Sequence, residues 1–212
     1  MFTKLLADDV NFPKSLKCAK LVTKIYLAGN YTAADENALA VIGSRKASKY
    51  GKDVVRDLVG PLVKQGITIV SGLADGIDSE AQELALQLGG RTLGVLGYGF
   101  SYIKDDPQYE LMKQIIHSGQ GAVISPFNHF QRPTKLTFIN RNKLIAGLAK
   151  GVLVVEASQK SGTFYTVEAA LDQEKPVYAV PGSIYSYLSR GTHQLIREGA
   201  GIVEKSQDLT IF

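Results

Sequence analysis

Cysteine occurs once in the 212 residues, at Cys18. One thiol cannot close an internal disulfide, and no second cysteine can join it at a metal. Cys18 therefore reads as a thiol with no special role. No apolar run approaches the roughly 20 residues that span a bilayer, so no membrane partner is expected. Residues 1–30 lack the charged head, apolar middle and small-residue cleavage site of a signal peptide. A cytoplasmic location is the expectation.

Familiar catalytic sets are missing too. His117, His129 and His193 show no metal-ligand spacing. The chain has no Gly-x-Ser-x-Gly elbow and no Gly-x-x-x-x-Gly-Lys-[Ser/Thr] loop. Gly94-Val-Leu-Gly97-Tyr98-Gly99 has glycines without the dinucleotide spacing, and no suitably placed acid follows at about 20 residues to hold a ribose. No metal, no cofactor and no catalytic residue is expected.

Acids are absent over two long stretches. Between Leu111 and Val155 there is no Asp or Glu, while Lys113, Arg132, Lys135, Arg141, Lys143 and Lys150 all fall there. A second acid-free stretch carries Arg45, Lys46, Lys49 and Lys52. The overall formal charge is only +4, so the distribution says more than the sum. Such clustering makes either a solvated basic face or a local positive field that a polyanion feels.

What is present is alternation. Strand-like runs fall at Leu39–Gly43, Ile67–Ser71, Arg91–Gly97, Gly121–Ser125, Gly151–Ala157 and Pro176–Val180, mostly unbroken Val, Ile and Leu as in strands buried on both faces. Between them lie helix-like segments. Lys49–Gln65 should break near Gly60-Pro61, and Asp78–Leu88 should stop at Gly89-Gly90. Gln108–Ser118, Asn140–Ala149 and Thr163–Glu174 complete the set. The rhythm predicts an α/β fold: a Rossmann-like, mostly parallel sheet with helices on both faces. Residues 1–30 read as a lead-in, with a short strand at Lys24–Ala28, and residues 31–212 as the domain.

In such a sheet, ligands bind beyond the C-terminal strand ends. Gly43-Ser44-Arg45 follows a strand directly. The glycine permits close approach, Ser44 can donate or cap, and Arg45 offers a fork of donors suited to phosphate; alone it is equally an ordinary turn. In Ser71–Asp78, two glycines leave room at a helix start, but Asp75 and Asp78 repel an anion, and Asp78 reads as a helix cap. Ser161-Gly162-Thr163 opens another helix, either as a cap or as a phosphate contact aided by Lys160. Lys135-Leu-Thr-Phe138-Ile-Asn140-Arg141-Asn142-Lys143 interleaves cations with an aromatic ring. That mixture suits single-stranded nucleic acid, whose backbone is anionic and whose unpaired bases stack; the plain alternative is a core phenylalanine with solvated cations.

These segments together resemble the DNA-processing (DprA/Smf) family. Ala40–Arg45 with Ser48 and Tyr50-Gly51 is similar to its opening motif, and Val70–Asp78 to its second. Phe138 with Arg141–Leu148 resembles its central signature, and Val154–Ala157 with Ser161-Gly162-Thr163 and Thr166 the next block. Val177–Gly182, Gly191, Leu195-Ile196 and Gly199-Ala200 follow in order, and Phe12–Leu16 with Ile25-Tyr26 fits the lead-in. Departures are Gln82 for a histidine, Tyr102-Ile103 for a Tyr-Pro, Lys143 for an arginine, and Val167-Glu168, which adds a negative charge.

The resemblance implies single-stranded DNA binding without catalysis, homodimerisation, and delivery of the strand to the RecA recombinase in natural transformation. Carried over, Arg45 contacts phosphate and Phe138 stacks or lines the pocket. Lys135, Arg141 and Lys143 supply charge, while Gly43, Ser44, Ser161, Gly162 and Thr163 offer backbone and hydroxyl donors. Asn140, Asn142 and Lys160 complete the expected DNA-binding set. Two other readings remain: a nucleotide phosphoribohydrolase of the related lysine-decarboxylase-like type, and a nucleotide-sensing module. For the former, Glu168 stands two residues too late for the Gly-Thr-x-x-Glu motif.

Overall fold

Ala38–Ile42 is a run of five buried apolar residues, and it forms an interior strand, β3, of one sheet. The computed structural model describes residues 2–211. Before β3 come β1 (Thr3–Leu6) and β2 (Lys24–Gly29); after it come β4 (Thr68–Ser71), β5 (Thr92–Val95), β6 (Gly121–Ser125), β7 (Gly151–Val154), β8 (Val177–Ala179) and β9 (Gly201–Ile202). Their order is β1-β2-β6-β5-β4-β3-β7-β8-β9. Every pair from β6 across to β9 is parallel; β2 runs antiparallel to both β1 and β6. The mostly parallel α/β sheet is as expected. The edge strand β1, largely exposed and without a strong apolar pattern, was not.

Alternation along β3 shows how both faces are covered. Ala38, Ala40 and Ile42 join one apolar cluster with Leu144, Ile145, Leu148 and Val167. Leu39 and Val41 join another with Val55, Leu58, Ile77 and Ala81. The first face is covered by α1 (Lys14–Cys18), α6 (Lys135–Leu148), α7 (Thr163–Leu171) and α8 (Arg190–Arg197); the second by α2 (Lys49–Val54), α3 (Gly60–Lys64) and α4 (Ile77–Gln87). Helix α5 (Tyr109–His117) closes the β6 end through Leu111, Met112 and Ile115.

Two boundaries differ from the sequence reading for identifiable reasons. The break expected at Gly60-Pro61 is a π turn over Val55–Val59 between α2 and α3. A proline ring clashes with the carbonyl four residues back, and a widened turn accommodates it. Helix α6 begins at Lys135 rather than Asn140 because Thr134 and Thr137 cap it reciprocally: Thr134 Oγ1 accepts the Thr137 N–H at 3.2 Å, and the Thr134 N–H donates to Thr137 Oγ1 at 3.0 Å. Helix α4 stops where expected, with Gly89 at φ +73°. At the other end of the sheet, fully buried Asp35 accepts from Arg91 Nε at 2.8 Å and from Thr68 Oγ1 at 3.0 Å, tying the start of β4 to that of β5.

Candidate nucleic-acid interface

From β3 the chain goes to β4, β5 and β6 on one side, then returns to β7 on the other. The gap beyond the C-terminal ends of β3 and β7 is therefore the topological switch point, where an open α/β sheet leaves a crevice. A cleft of about 510 Å³ lies there.

Its floor is the turn after β3. A Cβ on Gly43 would stand 2.7 Å from Ile77 Cγ1 and 2.9 Å from the Glu156 carbonyl oxygen, so only glycine lets this backbone pass. Ser44 Oγ accepts the Lys46 N–H at 3.1 Å, and the Ser44 carbonyl accepts the Ile77 N–H at 3.1 Å. The turn is thereby held against the start of α4 while the Arg45 and Lys46 side chains stay exposed at the cleft. Behind it, Ser48 caps α2 and donates to buried Glu156 at 2.5 Å; its N–H donates to the same carboxylate at 2.9 Å.

One wall is α6. Lys135, Phe138, Ile139, Arg141, Asn142 and Ile145 all line the cleft. Their spacing is one stripe of a helix of period 3.6. That periodicity divides the basic block of the sequence. Asn140 and Lys143 fall off the stripe and are exposed outside the cleft.

Phe138 is half-buried. Its ring meets Tyr98 edge-on at 6.3 Å between centroids and fills the space a side chain on Gly97 would take. With Arg45, Ala74 and Arg141 it lines both the main cleft and a hollow of about 140 Å³ that is also lined by Gly97, Tyr98, Asp75, Asp106 and Gln108. Phe138 thus packs partly against the core and borders the cleft with the rest of its ring.

Arg141 is at the cleft but not free in it. Its Nη1 donates to the carbonyls of Gly72 and Val95 at 2.5 Å each, bridging the ends of β4 and β5, and its guanidinium carbon lies 5.6 Å from the Phe138 ring centroid. Burial pushes its pKa down to about 10, opposed by the charge of Asp78. Asp78 is buried as well. Burial raises its carboxyl above the usual range, while Arg141 and the Gly72 N–H, which donates at 3.0 Å, hold it down. Gly76, not Asp78, occupies the N-cap of α4, so the capping role expected for Asp78 gives way to a buried partnership with Arg141.

The opposite wall is the turn into α7. Ser161, Gly162 and Thr163 line the cleft, and Thr163 Oγ1 reaches the Gly43 carbonyl at 3.5 Å. The N–H groups of Thr163, Phe164 and Tyr165 are engaged by Ser161 Oγ, the Ser161 carbonyl and the Gly162 carbonyl. Lys160 is exposed but does not line the cleft, and Glu168 lies on the exposed side of α7 outside it.

Of the thirteen residues singled out in the sequence, ten meet here: Gly43, Ser44, Arg45, Lys135, Phe138, Arg141, Asn142, Ser161, Gly162 and Thr163. Asn140, Lys143 and Lys160 do not. Lys46, Ser158, Tyr165, Tyr187 and Leu188 line the cleft without having been singled out for it. Lys46 was visible in the acid-free stretch; Tyr187 and Leu188 come from the loop after β8, and no local pattern marks them. Among the described residues, the charged lining is Arg45, Lys46, Lys135 and Arg141 against Asp78, which leaves a net positive basin.

The family model for DNA recombination-mediator protein A matches residues 3–212. The chain is 39% identical over 185 residues to DNA processing protein DprA of Streptococcus pneumoniae, covering 87% of this chain and 64% of that protein. It is 38% identical over 207 residues to Protein Smf of Escherichia coli, covering 97% of this chain and 55% of that one. The chain thus spans between about half and two thirds of these relatives' lengths. A solved structure of DNA processing protein A from Helicobacter pylori, described for its single-stranded DNA binding mode, superposes with a TM-score of 0.84 at 27% identity, covering 100% of this chain and 94% of that one. With the family model matched almost end to end and the fold shared, this chain belongs to the DNA recombination-mediator protein A family.

Proposed function

We propose that the switch-point cleft binds single-stranded DNA without catalysing a reaction on it. The observation that carries this reading is the meeting of Arg45, Lys135 and Phe138 at one opening. Two exposed cations offer charge-assisted contacts to a phosphate, and the ring beside them offers a stacking face. A duplex hides its base faces, so a site of this kind favours an unpaired strand. The family's designation as recombination mediator, and the strand bound by the H. pylori relative, support the same reading. In this proposal the protein works as a cytoplasmic homodimer that presents the strand to the RecA recombinase during DNA uptake.

The phosphoribohydrolase alternative draws no support from the geometry, since Glu168 lies outside the cleft. The test is competition. A labelled oligothymidylate bound to the protein is challenged with unlabelled single strand, duplex and nucleoside monophosphate. Displacement by single strand well ahead of the other two supports the reading. Preference for the monophosphate, with release of free base, overturns it in favour of the enzyme.

A further inference from the structure

The loop between β8 and α8 presents apolar and aromatic side chains to water. Ile184 is 75% exposed, Tyr185 92% and Tyr187 56%. A loop tip of this composition is costly to leave bare, and here it is not loose. Tyr50 Oη donates to the Pro181 carbonyl at 2.6 Å, and His193 Nε2 lies 3.0 Å from the Gly182 carbonyl, so the start of the loop is tied down. Ser183 Oγ accepts the Tyr185 N–H at 3.2 Å, and the Ser183 carbonyl accepts the Ser186 N–H at 3.0 Å. At the far end the Leu188 carbonyl accepts the Ala157 N–H at 2.7 Å, and the Gly191 N–H donates to the Ala157 carbonyl at 2.8 Å. The tip is therefore preorganised, and tyrosine gives a large contact face at low entropic cost.

This tip is continuous with the cleft, because Tyr187 lines it. Tyr185 is two residues away, its Cα at most about 7 Å from that of Tyr187, so its side chain stands beside the mouth of the cleft where a strand advancing about 3.4 Å per base would pass. The surroundings fit a polyanion. No Asp or Glu occurs between Glu174 and Glu198, and Arg190 follows the loop. We infer that the strand leaving the cleft past Tyr187 continues over this loop, with Tyr185 as a second stacking platform outside the cleft. The inference rests on the single-strand reading of the cleft and extends its footprint.

The experiment compares Tyr185→Ala, Tyr185→Phe and Arg45→Ala on a trinucleotide, which fills only the cleft, and on a strand of about 12 nucleotides, within the usual footprint of such sites. A copy of the long strand with 5-iododeoxyuridine at successive positions is photocrosslinked. Loss of one stacked base predicts a drop of about 5- to 150-fold for Tyr185→Ala on the long strand. Trinucleotide binding should be unchanged, Tyr185→Phe should behave as the wild type, and a crosslink should form at Tyr185. Arg45→Ala should weaken both ligands. If Tyr185→Ala binds the long strand normally and Tyr185 takes no crosslink while Arg45→Ala fails, the cleft stands and the loop proposal is overturned. An equal loss on the trinucleotide overturns it too, placing Tyr185 in support of the cleft. So does a change in sedimentation of the DNA-free protein with Tyr185→Ala, which makes the loop a contact between copies. If Arg45→Ala also binds normally, the cleft reading falls and takes the loop with it.

Discussion

Asp78 and Arg141 meet across Gly72: Oδ2 of the one and Nη1 of the other each stand 2.8 Å from where a Cβ on that glycine would lie. Both side chains are buried, so each charge depends on the other and on the backbone groups it binds. Arg141→Met removes the bridge between the Gly72 and Val95 carbonyls and leaves the carboxylate without its cation. Leaving two buried carbonyls without their donor costs about 1–3 kcal/mol each. Urea denaturation should show a loss of that size, with part of it recovered in the Arg141→Met, Asp78→Asn double variant. A loss confined to DNA affinity would instead make Arg141 a direct ligand contact.

Phe138 is predicted to owe its position to Gly97. An alanine there would place its Cβ 2.5 Å from Phe138 Cδ1 and 2.8 Å from Cε1, so the ring has to move. Gly97→Ala should weaken oligonucleotide binding by about 1–3 kcal/mol, the worth of one stacked base. In a Phe138→Ala background the same change should cost almost nothing further, because the ring it displaces is gone. Additive losses in this double-mutant cycle would show that Gly97 acts independently of Phe138.

Lys175 closes the C-terminus of α6. Its Nζ donates to the carbonyls of Ala146, Gly147 and Ala149 at 2.8, 2.6 and 2.6 Å. Burial pushes its pKa down to about 8, against an ordinary value of about 10.4. Between these values the unfolded chain holds more protons than the folded one, so stability rises with pH across that window. The wild type should therefore gain stability relative to Lys175→Met from about pH 8 to about pH 10.4. A pH series of thermal melts checks the sign; a wild type that loses ground over this window contradicts it.

Much of this was legible in the chain. The buried strands announce themselves as Val, Ile and Leu runs, and Gly43 marks a strand end that must be approached closely. The helix carrying the basic block was placed too late because its start depends on Thr134 and Thr137, whose reciprocal capping lies outside the apolar pattern. That late start hid the stripe that brings Lys135, Phe138 and Asn142 to one face and turns Asn140 and Lys143 away. Arg141 has the composition of a phosphate contact, yet its burial commits it to two strand-end carbonyls. Tyr187 reaches the cleft only because β8 lies next to β7, a tertiary fact with no local signature.

The most direct test of the central claim is titration of the protein with a fluorescent single strand at a series of salt concentrations, repeated with Arg45→Ala. Contacts from Arg45, Lys46 and Lys135 to phosphate each release counterions, at a slope of about 0.7 per phosphate on single strands. The wild type should therefore show log affinity falling with log salt at a slope near −2, and Arg45→Ala should bind more weakly with a slope shallower by about 0.7. Because Arg45 is exposed, its removal should leave folding stability within about 0.5 kcal/mol. Salt-independent binding, or an Arg45→Ala variant indistinguishable from the wild type, would contradict a phosphate-binding cleft.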